Sequence, residues 1–207
     1  MATATETEAL PSAEPVHRPY TLTSDEFFQM IEAEVFPRER RVYLWDGRLC
    51  EAMAKTPAHA STSIAMISAF ARRLPQGWCL ASENPIALDP DHAPLPDLCI
   101  IRADDPFVFA KQRRYPGPGE VGLVIEIAVT SLTRNLGERC EQYARALVPV
   151  YWVADVSGRK IVIHEGPRVV NGRGDYERVL VCEPGKTLQL SLRGQAIEPI
   201  PYEEVMR

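Results

Sequence analysis

The feature that most constrains this chain is a strand–helix–strand signal over residues 123–154. Leu123-Val124-Ile125-Glu126-Ile127-Ala128-Val129 is apolar at every position but one, the pattern of a strand covered on both faces rather than of a half-exposed edge. Leu132, Leu136, Cys140, Tyr143 and Leu147 then recur at spacings of four, four, three and four, which predicts the buried stripe of a helix. Pro149 ends it and Val150–Ala154 is the next apolar strand. If the two strands are parallel neighbours, the unit is a right-handed crossover, and its sheet needs helices against its faces. Glu126 is the exception inside the first strand. An ionised carboxylate removed from water without a partner costs several kcal/mol at least, so Glu126 faces solvent, pairs with a cation or holds a metal.

The flanking sequence fits the same plan. Thr23 and Glu26 have capping-box spacing, and Phe27, Phe28, Ile31 and Val35 share one helical face before Pro37. Asp46-Gly47 between residues 41–45 and 48–54 predicts a two-residue hairpin, since that dipeptide supplies the positive φ angles of its turn. Thr56-Pro57 opens a second helix with Ile64, Ile67, Ala71 and Leu74 on its buried side. Residues 79–88 and 98–101 read as strands, residues 103–120 as a long Pro/Gly-rich loop, and short strands follow around 160–164, 179–182 and 188–192. The expected class is α/β (α+β), a mixed sheet flanked by helices, with a flexible leader at 1–20 and one domain over 21–207.

Composition narrows the function classes. With 45% apolar and 25% charged residues the chain has the balance of a globular protein, and a net charge of −5 gives no overall pull toward nucleic acid. No run of about 18 apolar residues exists, so no membrane span is expected. The five cysteines are odd in number and lack any C-x-x-C spacing, which argues against a disulfide framework or a zinc site and for small buried side chains in a reducing cytoplasm. Local basic clusters, among them Lys111, Arg113 and Arg114 in the long loop, are either solvated faces or phosphate contacts.

The chemistry-bearing pair is Asp97, which opens one short apolar strand, and Glu126, which interrupts another. If those strands are neighbours, the carboxylates converge. Mg²⁺ takes about six oxygens but usually only one or two protein carboxylates, leaving places for water and phosphate. Such an ion polarises a phosphodiester and helps ionise water. The alternative is that Glu126 pairs with a nearby arginine.

The strings LPDLCII and LVIEIAVTSLTRNLGERCEQYARALVPVYWVAD, separated by the loop, resemble the Uma2 family, a branch of the PD-(D/E)XK nuclease superfamily. The likeness extends upstream through RRVYLWDGRLCEAMA, TPAHA and ENPIALD, so that it spans roughly residues 24 to 165. It implies a restriction-endonuclease-like fold, a metal-dependent endonuclease using Mg²⁺ or Mn²⁺, DNA as substrate, and a homodimer. By the resemblance Asp97 and Glu126 are the acidic metal ligands, and the carbonyl of Ile127 completes the protein's share. Four positions depart from the family pattern: Leu44 stands where a Glu is common, Asn135 where an Asp is usual, Arg139 where a Lys is usual, and Val129 where an Asp or Pro is frequent. Arginine keeps the charge and can steady a scissile phosphate, but with a pKa above about 12 it cannot act as a base. Asp46, Glu51 or Glu83 are candidates to replace the missing carboxylates, and His59 in TPAHA matches a family His. Two readings follow from these residues. One is an endonuclease weakened by its substitutions, and the other a nuclease fold turned into a binding or assembly module, with Arg139 bridged to Glu126.

Overall fold

The computed structural model describes residues 19–207, so the leader expected at 1–20 lies, up to residue 18, outside the described residues. Helix α1 (Ser24–Glu32) begins in the expected capping box: Thr23 Oγ1 accepts from the Glu26 amide at 3.3 Å, and the Glu26 carboxylate accepts from the Thr23 amide at 2.8 Å. It stops before Pro37, because Glu34 turns to a φ of +52° and leaves Val35 exposed. Strands β1 (Val42–Trp45) and β2 (Arg48–Glu51) pair through Asp46 and Gly47, both at positive φ, as a type I′ turn requires. Helix α2 (Pro57–Ala71) starts at Thr56, whose hydroxyl accepts from the His59 amide, with Pro57 at its first position.

Six strands form the main sheet: β3 (Trp78–Ser82), β4 (Leu98–Arg102), β5 (Val121–Ala128), β6 (Val150–Asp155), β7 (Lys160–Val170) and β8 (Arg173–Cys182), ordered as numbered. Every neighbouring pair is antiparallel except β5 and β6, which are parallel. The crossover between them holds three pieces: α4 (Leu132–Arg134), a π turn (Asn135–Arg139) and α5 (Cys140–Arg145), while α3 (Val108–Lys111) sits in the loop after β4. The last segment adds two small ladders and a short helix, Tyr202–Val205.

All eight residues of β5 are buried, because apolar layers cover both faces of the sheet. Leu123, Ile125 and Ile127 face α2 and the C-terminal segment, packing with Met66, Phe70 and Trp152. Val124 and Ala128 face the other way, with Cys99, Tyr143, Tyr151 and Val153. Strand alternation therefore puts Glu126 on the side covered by the crossover. A third, smaller cluster of Phe27, Leu44 and Ala93 roots the β1–β2 hairpin.

Several sequence expectations change in detail. The buried side of α2 is His59, Thr62, Ser63, Met66, Ala69 and Phe70, and Ile64 is exposed. Small polar and apolar residues alternate around this helix, and half of its buried residues are polar, so periodicity could not choose the face. In the crossover the wide π turn brings Asn135 and Arg139 inside and leaves Leu136 exposed, and Leu147, past the end of α5 at a φ of +60°, is exposed as well. The strand expected at 79–88 ends at Ser82, and the short strands near 160–164 and 179–182 are parts of one long hairpin turned at Asn171-Gly172. Among the described residues no helix is long and apolar enough to cross a membrane.

One buried histidine ties the hairpin to the body. His92 Nδ1 lies 2.8 Å from Asp89 and Nε2 lies 2.9 Å from Asp46 in the hairpin turn. A neutral imidazole has one N–H, so two carboxylate partners call for the imidazolium. Burial alone would lower its pKa, but the hydrogen bonds and charges of Asp89 and Asp46 outweigh that and raise it. Asp89 is likewise drawn below its ordinary value, against its own burial, by His92 and Arg145. Stabilisation from a raised histidine is complete below its unfolded pKa and fades as pH climbs through the folded one; for a lowered carboxyl it is complete above the unfolded pKa and fades as pH falls. The Tm gap between wild type and His92→Gln should thus be widest between about pH 4 and 6.5 and narrow in alkali. Thermal melts of both proteins across pH check this, and a gap that widens in alkali would contradict it.

Candidate active site

The antiparallel register of β4 on β5 sets Leu98 opposite Ile125 and Cys99 opposite Val124. One step further it sets Asp97 opposite Glu126, on the same face of the sheet, where directly opposed side chains are neighbours. Asp97 is fixed there because its Oδ2 accepts the backbone N–H of Ile127 at 2.8 Å. The convergence expected from two strand-edge carboxylates is therefore present.

Each carboxylate already has a cation. Glu126 Oε1 accepts from Arg139, which the π turn aims inward, and from the Tyr143 hydroxyl at 2.9 Å. Burial pushes the Glu126 carboxyl above the ordinary range, and the charge of Arg139 opposes that push. Arg139 itself is held firmly protonated, since Glu126 more than offsets its burial. The guanidinium also lies over Tyr43 and Trp45, 5.6 and 5.7 Å from their ring centres, and Arg134 shares the same two rings. Asn135 turns its amide to Ser131, and its carbonyl, in the wide turn, accepts the hydroxyl of buried Tyr151 at 2.9 Å.

On the other side, Asp97 Oδ1 lies 3.0 Å from Lys55 Nζ and 3.1 Å from His59 Nε2. Burial would raise the Asp97 carboxyl, but His59, the Ile127 amide and Lys55 together draw it below its ordinary value. His59 Nδ1 is buried without a hydrogen-bond partner, so the ring serves Asp97 through Nε2 alone. Lys55 also bridges to Glu83, which Arg41 holds from the far side at 2.6 Å.

Asp97, Glu126, Ile127, His59, Asn135 and Arg139 all line one cavity of about 210 Å³, with Lys55 among them. Its charged lining is four basic groups, Arg41, Lys55, Arg134 and Arg139, against four acidic ones, Glu51, Glu83, Asp97 and Glu126. Of the compensating carboxylates considered from sequence, Glu51 and Glu83 reach this cavity, while Asp46 is engaged with His92. Leu44 does not line it; its side chain is in the apolar cluster, and Tyr43 next to it faces the cavity. Lys111, Arg113 and Arg114 lie elsewhere, paired with Asp105, Glu32 and Glu120. Arg113 and Arg114 line a separate cavity of about 860 Å³ between α1, β3 and the long loop.

Sequence reasoning missed Lys55. It stands immediately before the Thr56 cap and four residues ahead of His59, so a helix entry aimed at Asp97 was the available signal. For a single hard divalent ion the donor set is suitable in type: two carboxylates on one sheet face, lining a cavity. Among the described residues no group of three or more His, Cys, Asp or Glu side chains is placed to hold a metal ion, but an ion that keeps most of its waters needs no more than two carboxylates.

The crystal structure of "a putative nuclease belonging to DUF820" from Anabaena variabilis matches with a TM-score of 0.58 at 14% identity, over 90% of this chain and 97% of that one. At that identity the likeness shows a shared fold. No curated protein matches significantly. The family model of Uma2, described as "Putative restriction endonuclease", matches residues 24–198, nearly the whole of the described chain, and the protein belongs to the Uma2 family.

Proposed function

We propose that the protein is an endonuclease that hydrolyses DNA phosphodiester bonds at the cavity shared by Asp97 and Glu126, with Mg²⁺ or Mn²⁺ as cofactor. The observation that carries this reading is that the two carboxylates line one cavity, in a chain of the Uma2 family. Asp97, Glu126 and the Ile127 carbonyl would hold the ion, which supplies Lewis-acid polarisation of the phosphate and a more acidic bound water. The chain's own residues do the positioning. The Ile127 amide and His59 fix the Asp97 carboxylate, and Tyr143 fixes that of Glu126. Arg139, permanently charged, offers a guanidinium to a non-bridging phosphate oxygen but no base. Lys111, Arg113 and Arg114 would meet the DNA backbone further out, exchanging their carboxylate partners for phosphates, a contact that weakens as salt rises. A homodimer working in the cytoplasm is part of this reading, by analogy with the family.

Calorimetry should detect Mn²⁺ binding to the wild type and none to the double variant Asp97→Asn, Glu126→Gln. Equal affinity in the two would remove the site, and a folded wild type with no affinity would instead favour a binding module. Plasmid cleavage should be slow in the wild type and several-fold faster in Arg139→Lys, because an ammonium can yield a proton where a guanidinium cannot. An unchanged or lower rate would show that the arginine is not what limits the reaction. Arg139→Met should lower the Tm by roughly 10 °C, since stranding one member of a buried pair costs about 3–5 kcal/mol. A melt within a degree or two of wild type would show the pair to be expendable.

A further inference from the structure

Asp97 and Glu126 are neutralised within the chain, by Lys55 and Arg139. A divalent ion entering between them meets two carboxylates and two cations, hence no net attraction from the four, and like charge within a few ångströms works against it. The two cations differ in freedom. Arg139 is buried, bonded to Glu126 and covered by Tyr43 and Trp45. Lys55 is partly exposed, on a flexible stem just ahead of the α2 cap, and has a second acceptor in Glu83, which Arg41 keeps in place. Lys55 can therefore leave Asp97 without being stranded, whereas Arg139 cannot leave Glu126 without stranding a buried carboxylate.

We propose that Lys55 is a built-in counter-cation of the metal site: it neutralises Asp97 in the free protein and turns to the phosphate of an arriving diester, so that ion and phosphodiester bind with positive coupling. This rests on the metal-dependent reading above. Free metal then binds weakly, and the complete set of charges assembles only when the phosphate brings its own negative charge to Lys55. By linkage the ion strengthens phosphate binding by the same factor.

The test is the Mn²⁺ affinity of the full chain, measured by calorimetry with and without dimethyl phosphate, the smallest phosphodiester. Lys55→Met should bind Mn²⁺ about tenfold more tightly than wild type, within the usual span of coupled sites, while Lys55→Arg should stay near wild type. Dimethyl phosphate should tighten Mn²⁺ in the wild type and do so less in Lys55→Met. Equal or weaker Mn²⁺ affinity in Lys55→Met, or the same tightening in both proteins, would overturn the role of Lys55 and leave the metal site standing. Failure of every form, Lys55→Met included, to bind Mn²⁺ would overturn the role and the metal site together.

Discussion

The buried ion pair of Glu126 and Arg139 is the interaction around which this fold is arranged. A carboxylate in the middle of a strand covered on both faces is tolerable only with a partner inside the protein. The partner must come from the element that covers that face, which is the crossover between β5 and β6. An unbroken α-helix there would continue the leucine stripe that the sequence displays. The π turn over Asn135–Arg139 departs from it, and the departure is what brings a guanidinium inward.

That local solution makes demands in turn. A wide turn disturbs the regular backbone ladder, and the Asn135 carbonyl finds its donor in Tyr151, on the strand at the far end of the crossover. Tyr143, on α5, adds a hydroxyl to Glu126, and its ring lies tilted against that of Tyr151. The β1–β2 hairpin closes the outside with Tyr43 and Trp45 over the guanidinium, and the hairpin is itself anchored by His92. The ion pair, the π turn, the tyrosines and the hairpin are thus one connected set, and a change in any of them reaches the cavity.

Much of this was legible in sequence where the controlling physics is local. Thr23, Thr56 and Asp46-Gly47 announce caps and a turn whose geometry is decided within four residues, and the structure places them as expected. The out-of-place Glu126 and the strand-opening Asp97 could be singled out because an apolar context makes a carboxylate conspicuous. What failed depended on distance. The buried face of α2 is chosen by the sheet it lies on, and its own polar and apolar residues are too evenly mixed to say. The π turn is invisible to a period of 3.6, which instead nominated Leu136 and Leu147. Lys55 and Glu83 meet Asp97 through chain segments far apart in sequence, whereas Lys111, Arg113 and Arg114, between the acidic motifs in sequence, line another part of the surface.

The residues that depart from the pattern the resemblance implies act in different places. Leu44 lies among Phe27 and Ala93, so an apolar residue there strengthens the root of the hairpin that covers Arg139. Asn135 places an amide, not a carboxylate, beside the ion pair, and its side chain is satisfied by Ser131. A permanently charged Arg139 and a nearby Lys55 balance Glu126 and Asp97 one for one. A site richer in carboxylates holds a cation by itself; a balanced one does so only when another anion takes up part of its positive charge. On the reading proposed above, substrate phosphate would be an anion of that kind, and the charge arrangement would favour an ion and a phosphodiester arriving as partners over an ion held in waiting.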